Sequence, residues 1–401
     1  MTSLNKLNKI NKPNKKFFIK TYGCQMNFHD SGLIESGLLK NGFIKADSAG
    51  DAGIVILNTC SVRDHADHKI LSELGRLKKN GPDKKIVLAG CFAKQVKLKK
   101  EAGTDKTDAG LFFDYCVGPD EILSIPDIFK YENGSAKESR NGDDYKDFGL
   151  LEEFFYDKKP ENGAATVKII EGCDNFCSYC IVPYVRGRER SVPFEIIYNT
   201  ANEQVLKGAE EILLLGQNVN SYLSPEDGKK DFGFLLNSLS DIPGIKKIKF
   251  LTSHPKDFND GLIETVCGNA KISKEIHLPV QSGSDKMLSA MNRGYTRKDY
   301  LKLVRKLRNG CSDISFSTDI IVGFPGETGE DFEMTLSLME EVKFDFIFGF
   351  KYSPRPFTKA FKLKDDVLLE IKKERLERIF QKQKEIKIAS HLLPHKSRWL
   401  L

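Results

Sequence analysis

The sequence predicts an α/β protein: an N-terminal open parallel-sheet α/β domain followed by a partial (β/α)6 barrel. Three observations predict it. Short apolar runs alternate with helical periodicity through residues 17–132 and again through residues 161–363, a pattern that builds parallel sheets with right-handed crossovers. Between the two series, residues 133–160 open on a stretch rich in Gly, Ser, Asn and charge, which reads as a linker. Cys173, Cys177 and Cys180 stand at C-x3-C-x2-C spacing directly after the first strand of the second series.

The chain begins with a low-complexity basic segment, 1–16, in which Asn-Lys recurs every three residues from Asn5 to Lys15. It has no apolar core of a secretory signal and reads as a disordered, solvated tail. The 401 residues are enough for two domains, and 40% hydrophobic with 29% charged residues is ordinary for a soluble globular protein. No apolar run reaches the roughly 18 residues of a membrane span, so no membrane association is expected. Nine cysteines, an odd number, suit a reducing cytoplasm better than a disulfide framework. A net charge of +6 permits a polyanionic partner without demanding one.

In the first series, strands are expected at Phe17–Thr21, Ile54–Asn58, Lys85–Ala89 and Tyr115–Val117, with helices at Ser31–Asn41, Arg63–Lys79 and Phe92–Lys100. Cys24, Cys60 and Cys91 each follow one of the first three strands within three residues. Parallel strands end on one edge, where open α/β sheets bind their ligands. Topology therefore brings these cysteines together, and they read as ligands of a second metal cluster. Ordinary buried cysteines are the plainer reading of any one of them, but not of three at equivalent positions. Cys116 falls in a strand, Cys267 in a helix and Cys311 at a helix end, and these read as core or spectator residues.

In the second series, strands are expected at Val167–Ile170, Glu211–Leu215, Lys246–Leu251, Lys274–Leu278, Ile314–Val322 and Phe344–Tyr352. Helices are expected at Glu195–Leu206, Phe232–Ser240, Phe258–Cys267, Arg297–Gly310 and Thr328–Val342. Six βα units fall short of a closed eightfold barrel and leave a lateral opening for a large substrate. Barrel chemistry sits at the carboxyl ends of the strands. There the sequence places the cysteine loop with Gly216, Gln217 and Asn218, Ser253, Gln281 and Gly323, candidates for a polar cofactor. Arg186, Arg188 and Arg190 follow the cysteines and, with Arg293, are candidate phosphate clamps for RNA; a solvated charged loop is the alternative.

Three thiolates hold three irons of a [4Fe–4S] cube and leave the fourth open. A structural zinc site wants four donors, and electron carriers supply four thiolates, so the spacing points to chemistry on a bound small molecule. The motif resembles that of radical S-adenosylmethionine enzymes. With the N-terminal cysteines, the chain resembles the methylthiotransferases, the MiaB-type tRNA enzymes above all, from about Phe17 to about Gln383. The stretches that carry the likeness are Thr21–Asn27, Asn58–Arg63, Gly172–Arg190, Leu215–Tyr222, His277–Ser284, Met291–Thr296 and Tyr352–Pro356.

The resemblance implies two [4Fe–4S] clusters, a radical cluster on Cys173, Cys177 and Cys180 and an auxiliary one on Cys24, Cys60 and Cys91. It also implies S-adenosylmethionine, cleaved to a 5′-deoxyadenosyl radical, a reductant such as flavodoxin or ferredoxin, and a sulfur donor. The implied substrate is N6-isopentenyladenosine at position 37 in the tRNA anticodon loop, converted to its 2-methylthio derivative. Related activities on threonylcarbamoyladenosine of tRNA or on a ribosomal-protein aspartate are the near alternatives. A non-catalytic iron–sulfur redox protein is the alternative of another class. Family members normally end in a TRAM RNA-binding barrel. Here a helix over Lys364–Ile388 and a short tail make up 364–401, so that barrel is expected to be missing and tRNA affinity to be weakened.

Overall fold

A computed structural model describes residues 15–61, 65–104, 112–130, 160–226 and 228–391. The basic tail, the linker at 133–160 and the last ten residues lie almost wholly outside the described residues. The chain divides into two compact units at Lys158/Lys159.

The first unit is a five-stranded parallel sheet. Its strands are β1 (Lys16–Thr21), β2 (Ile44–Lys45), β3 (Ile54–Thr59), β4 (Lys85–Gly90) and β5 (Tyr115–Val117), in the order β2-β1-β3-β4-β5. β3 is buried along its whole length, as expected for a central strand covered on both faces. Alternate side chains then serve opposite layers. Ile54 and Ile56 pack with Leu33, Ile34, Leu38 and Phe129; Val55 and Leu57 pack with Ile70, Leu74, Phe92 and Val96. These partners come from α1 (Gln25–Lys40) and α4 (Ile125–Lys130) on one side, and from α2 (His65–Asn80) and α3 (Cys91–Glu101) on the other.

One helix differs from its expected span. α1 starts at Gln25, six residues before the expected Ser31, because Asn27, His29, Asp30 and Ser31 are polar yet buried. Their polarity hides the helical stripe of the first two turns.

The second unit carries six parallel barrel strands: β6 (Ala164–Lys168), β9 (Glu211–Leu215), β10 (Lys247–Phe250), β11 (Glu275–His277), β12 (Ser315–Val322) and β13 (Phe346–Lys351). They form two runs in chain order, β6-β9-β10 and β11-β12-β13. A parallel bridge between Ile248 and Ile272 joins the runs, so the partial (β/α)6 barrel is observed. The first strand ends earlier than expected. At Ile170 the chain leaves the barrel, and β7 (Ile170–Glu171) pairs antiparallel with β8 (Arg190–Ser191).

The C-terminal helix runs Leu369–His391, five residues later than expected at its start. It covers β13, where a Cβ on Gly349 would lie 2.7 Å from Ile379 and 3.0 Å from Leu376 and Phe380. Arg375 donates to Glu327 Oε2 at 2.6 Å, a buried pair that fixes the helix to the loop after β12. Cys267 and Cys311, expected as core or spectator residues, are joined in a disulfide with Cα atoms 5.1 Å apart. Closing that loop of 44 residues removes about 4 kcal/mol of unfolded-chain entropy.

Candidate radical site and sheet-edge cysteine triad

The cysteine loop of the barrel is a closed knot whose neck is made by its own arginines. The β7–β8 hairpin brings Glu171 opposite Arg190, and Cys173 N donates to Gly187 O at 3.3 Å. Arg186 Nη1 donates to Glu171 Oε1 at 3.2 Å and Lys168 Nζ to Oε2 at 3.1 Å, with Arg190 at 3.7 Å. Burial alone would raise the Glu171 carboxyl, but the three cations outweigh it and hold it below its usual range. Arg188 forks onto Asp174 inside the loop, at 2.7 and 3.0 Å. Gly172 has φ +79°, and a Cβ there would stand 2.1 Å from Arg188 O. Only glycine lets the two sides of the neck approach so closely.

A remote segment holds the tip. Ser178 N donates to Met291 O at 3.0 Å and Ser178 Oγ to Ala290 O at 2.7 Å. Asn292 Nδ2 donates to Asn175 O and Phe176 O at 3.2 and 3.0 Å. Arg293 Nη1 donates to Cys177 Sγ at 3.2 Å. The Met291–Thr296 stretch is thus the clamp of the cysteine loop, a role the sequence alone does not reveal because the partners are more than 110 residues apart.

The thiols suit a cationic cluster. Desolvation pushes the Cys173 thiol up to about 11 and the Cys180 thiol up to about 12, with Cys177 beside them adding to both. Bare thiols there stay protonated, and iron would supply the positive charge that thiolates need. Among the described residues no three His, Cys, Asp or Glu side chains converge tightly enough for a single metal ion. A cube holds its thiolates farther apart than one ion does.

The strand-end residues surround this loop with buried polar groups. Gln217 Oε1 accepts from Gly172 N at 2.6 Å, and Gly216 lies flush against Ile170. Asn218 donates to Asp257 at 2.7 Å but its Oδ1 has no partner. Gln281, four residues beyond β11, has φ +74°, and its Oε1 is buried without a partner. His254 accepts at Nδ1 from Lys256 N, so its buried Nε2 carries the proton and points at nothing. Burial, with Arg293 and Lys256 nearby, depresses His254 to about 2, so the ring is neutral. Buried polar atoms without partners are rare and mark a place for a bound group.

Two of the expected cofactor residues also have partners within the protein. Ser253 Oγ donates to His277 O at 2.6 Å. Gly323 N donates to Glu327 Oε2 at 2.6 Å, and its Cα packs on Lys372 of the C-terminal helix. Two of the arginines expected to clamp phosphate are corrected by burial: Arg186 is 5% exposed and Arg293 4% exposed. Both are enclosed by their partners inside the loop and do not form an RNA-facing surface. Arg190 is half-buried at the neck, whereas the Arg188 side chain is 74% exposed.

In the first unit the three cysteines stand beyond β1, β3 and β4, whose register pairs Thr21 with Asn58, Asn58 with Ala89 and Thr59 with Gly90. Cys60 and Cys91 are buried and Cys24 is exposed. A Cβ on Gly23 would lie 2.6 Å from Cys60 Cβ, and one on Gly90 (φ +88°) 2.5 Å from Thr59 O. A buried amide network fixes these ends. Asn58 Nδ2 donates to Asn27 O at 2.7 Å and Ser31 Oγ at 2.9 Å. Asn27 Nδ2 donates to Thr59 O at 3.2 Å, and Cys24 N and Sγ both donate to Asn27 Oδ1 at 3.3 Å. Asn27 and Asn58 lie within the recognisable stretches, but only the structure gives them this role.

A model of the Radical SAM superfamily matches residues 167–339, and one described as uncharacterized protein family UPF0004 matches residues 16–111. A tRNA-2-methylthio-N(6)-dimethylallyladenosine synthase of Carboxydothermus hydrogenoformans is 42% identical over 377 residues, 93% of this chain and 84% of that protein. The same enzyme of Polynucleobacter asymbioticus is 41% identical over 374 residues, 90% of this chain and 81% of that protein. The chain belongs to the radical S-adenosylmethionine tRNA methylthiotransferases. Membership brings with it S-adenosylmethionine and a [4Fe–4S] cluster as cofactors of this methylthiotransferase. Among solved structures, the radical S-adenosylmethionine methyltransferase TsrM of Kitasatospora setae superposes with TM-score 0.58 at 14% identity, over 86% of this chain and 74% of that one. The cobalamin-dependent radical enzyme OxsB superposes with TM-score 0.53, over 92% of this chain and 56% of that one. At such identities the likeness is one of fold. No helix among the described residues is long and apolar enough to cross a membrane.

Proposed function

We propose that this methylthiotransferase converts N6-isopentenyladenosine at position 37 of tRNA to its 2-methylthio derivative. In this reading one [4Fe–4S] cluster sits on Cys173, Cys177 and Cys180 and a second on Cys24, Cys60 and Cys91. The observation that carries the reading is the clamped three-cysteine loop at the strand ends of a six-stranded barrel, in a chain 42% identical over 93% of its length to a synthase of that name.

When bound, and with one electron delivered, S-adenosylmethionine and the two clusters would supply the radical chemistry that takes the hydrogen from adenine carbon 2 and the sulfur that replaces it. Acid–base groups cannot activate that C–H bond, and accordingly the barrel mouth offers polar groups that bind rather than titrate. Asn218 Oδ1 and Gln281 Oε1 can accept from an amino or hydroxyl group, and neutral His254 Nε2 can donate to a carboxylate. Gln217 positions the cysteine loop through Gly172. Buried apolar residues around the loop, Met287, Met291 and Phe324 with Tyr352, keep water from a reactive intermediate.

The tRNA meets the protein at the anticodon loop, where a base can leave its stack and enter a pocket. Arg188 is the arginine of the four best exposed to reach a phosphate. The polyanionic substrate suits the net charge of +6. A one-electron reductant such as flavodoxin or ferredoxin and a sulfur donor complete the reaction. Mass spectrometry of tRNA nucleosides from cells lacking the chain tests the reading. The 2-methylthio derivative should vanish while N6-isopentenyladenosine accumulates, and persistence of the derivative would overturn it.

A further inference from the structure

We propose that Arg293 raises the reduction potential of the barrel cluster by donating an N–H···S hydrogen bond to Cys177 and by placing its charge beside the thiolates. The inference rests on the cluster assignment proposed for Cys173, Cys177 and Cys180. Arg293 is 4% exposed. Its Nη1 lies 3.2 Å from Cys177 Sγ and 3.4 Å from Tyr179 Oη, its Nη2 donates to Pro279 O at 2.8 Å, and its Nε donates to Tyr295 Oη at 3.0 Å. Every one of these partners is neutral or a thiol. Among the described residues no carboxylate forms an ion pair with it, whereas the buried Arg186 and Arg375 have Glu171 and Glu327.

A buried guanidinium without a counter-ion is strongly unfavourable. The missing negative charge is what thiolate ligation provides. Three thiolates around a 2+ cube sum to one negative charge, and one added electron makes it two. Arg293 therefore attracts the reduced state more than the oxidised one, and hydrogen bonds to cluster sulfurs act in the same direction. The guanidinium is also held rigidly. Pro279 belongs to the turn after β11, and Tyr295 Oη donates onward to Val280 O at 3.0 Å. Its donor consequently points at the sulfur without needing the cluster to orient it. The balance is one electron from the reductant into the cluster, with no proton transferred at Arg293, whose charge is the same in both states.

The test is redox titration of the full chain followed by electron paramagnetic resonance, with iron per chain measured alongside. Arg293→Met should keep its iron, while the equilibrium for one-electron reduction of the barrel cluster falls at least tenfold, ~59 mV per tenfold. Arg293→Lys, which keeps the charge and loses the fork, should fall less, and the sheet-edge cluster should not move in either. An unshifted potential in an iron-replete Arg293→Met protein would overturn the proposal and leave Arg293 a packing residue. Should Arg293→Met fail to hold iron, the wild-type protein labelled with 15N-arginine decides. Pulsed resonance should then detect an arginine nitrogen coupled to the reduced barrel cluster, and no coupling would overturn the proposal. If the titrated signal survives replacement of Cys173, Cys177 and Cys180, the cluster assignment is what fails, not the role of Arg293.

Discussion

The two cysteine triads solve the same problem in opposite ways. In the barrel, the three cysteines lie within eight residues and need no fold to bring them near each other. What they lack is rigidity, which arrives from Ala290, Met291, Asn292 and Arg293 across the barrel mouth. In the sheet, the cysteines are scattered from position 24 to position 91, and the register of three parallel strands assembles them. Their supports, Asn27 and Asn58, are close in sequence to the residues they hold. A contiguous motif with remote support and a dispersed motif with local support should therefore fail through different mutations.

The largest effect separates the triads outright. Replacing Cys173, Cys177 and Cys180 by Ala should remove about half the iron, one cluster of two, and abolish cleavage of S-adenosylmethionine. Replacing Cys24, Cys60 and Cys91 should also remove about half the iron but leave reductive cleavage to 5′-deoxyadenosine. Iron analysis and chromatography of the nucleoside products measure both. If the second variant keeps all its iron, the sheet-edge cysteines are structural and the sulfur-delivery role is lost.

Next come the glycines that allow each site to close. At Gly172 an added Cβ meets Arg188 O at 2.1 Å, and at Gly90 it meets Thr59 O at 2.5 Å. Both obstacles are backbone atoms, and both positions have positive φ, so each substitution carries about 1–3 kcal/mol of backbone strain before any clash is counted. Gly172→Ala should deplete the barrel cluster alone and Gly90→Ala the sheet-edge cluster alone, read from the resonance signal of each. Loss of both signals from either variant would show that the sites are not independent.

These contrasts explain what the sequence could reveal. The sheet and the barrel were legible because parallel strands buried on two faces, such as Ile54–Thr59, read as unbroken apolar runs. The start of α1 was hidden because buried Asn27, His29 and Asp30 interrupt its stripe. The barrel triad was legible from spacing, and the sheet-edge triad from topology. Two of the arginines, Arg186 and Arg293, proved buried, and the sequence could not show it for a physical reason. A run such as Arg186-Gly-Arg188-Glu-Arg190 has the same composition whether it faces phosphate or closes its own loop, and burial by Glu171 decides between the two. The Cys267–Cys311 pairing was invisible because no spacing rule joins cysteines at the C-terminal ends of two different helices.

A smaller effect is expected from the side chains that support each triad. Asn58 is fully buried and donates twice, so Asn58→Ala removes a buried partner from Asn27 O and from Ser31 Oγ and should cost about 1–3 kcal/mol. Asn292 is exposed, and Asn292→Ala should cost about 1 kcal/mol. Chemical denaturation measures the stability difference. The functional outcomes should reverse that order for S-adenosylmethionine cleavage, since Asn292 alone of the two touches the barrel loop. If Asn58→Ala slows cleavage more than Asn292→Ala, support is not local to each triad.

The smallest expected difference between the regions appears in acid. In the first unit, Glu73 of α2 accepts from Arg76 Nη2 and Nε at 2.7 and 2.9 Å and from Lys20 Nζ at 2.9 Å. Lys20 lies one residue before the end of β1, so this contact ties α2 to the strand that leads to Cys24. The Arg76 hydrogen bonds, against desolvation and with help from Lys20, depress the Glu73 carboxyl to about 2. A carboxylate depressed in the folded state stabilises it above its unfolded pKa, and that contribution disappears as pH falls through the folded value. The window for Glu73 is therefore from about 4.5 down to about 2. Glu327 of the barrel is shifted the other way, because burial raises its carboxyl despite Gly323 and Arg375. Glu73→Gln should lower the melting temperature of the first unit slightly at pH 7, and the difference from wild type should shrink to nothing near pH 2. A thermal melt series across that window measures it, and a difference that stays constant with pH would show that Glu73 acts by packing and not by its charge.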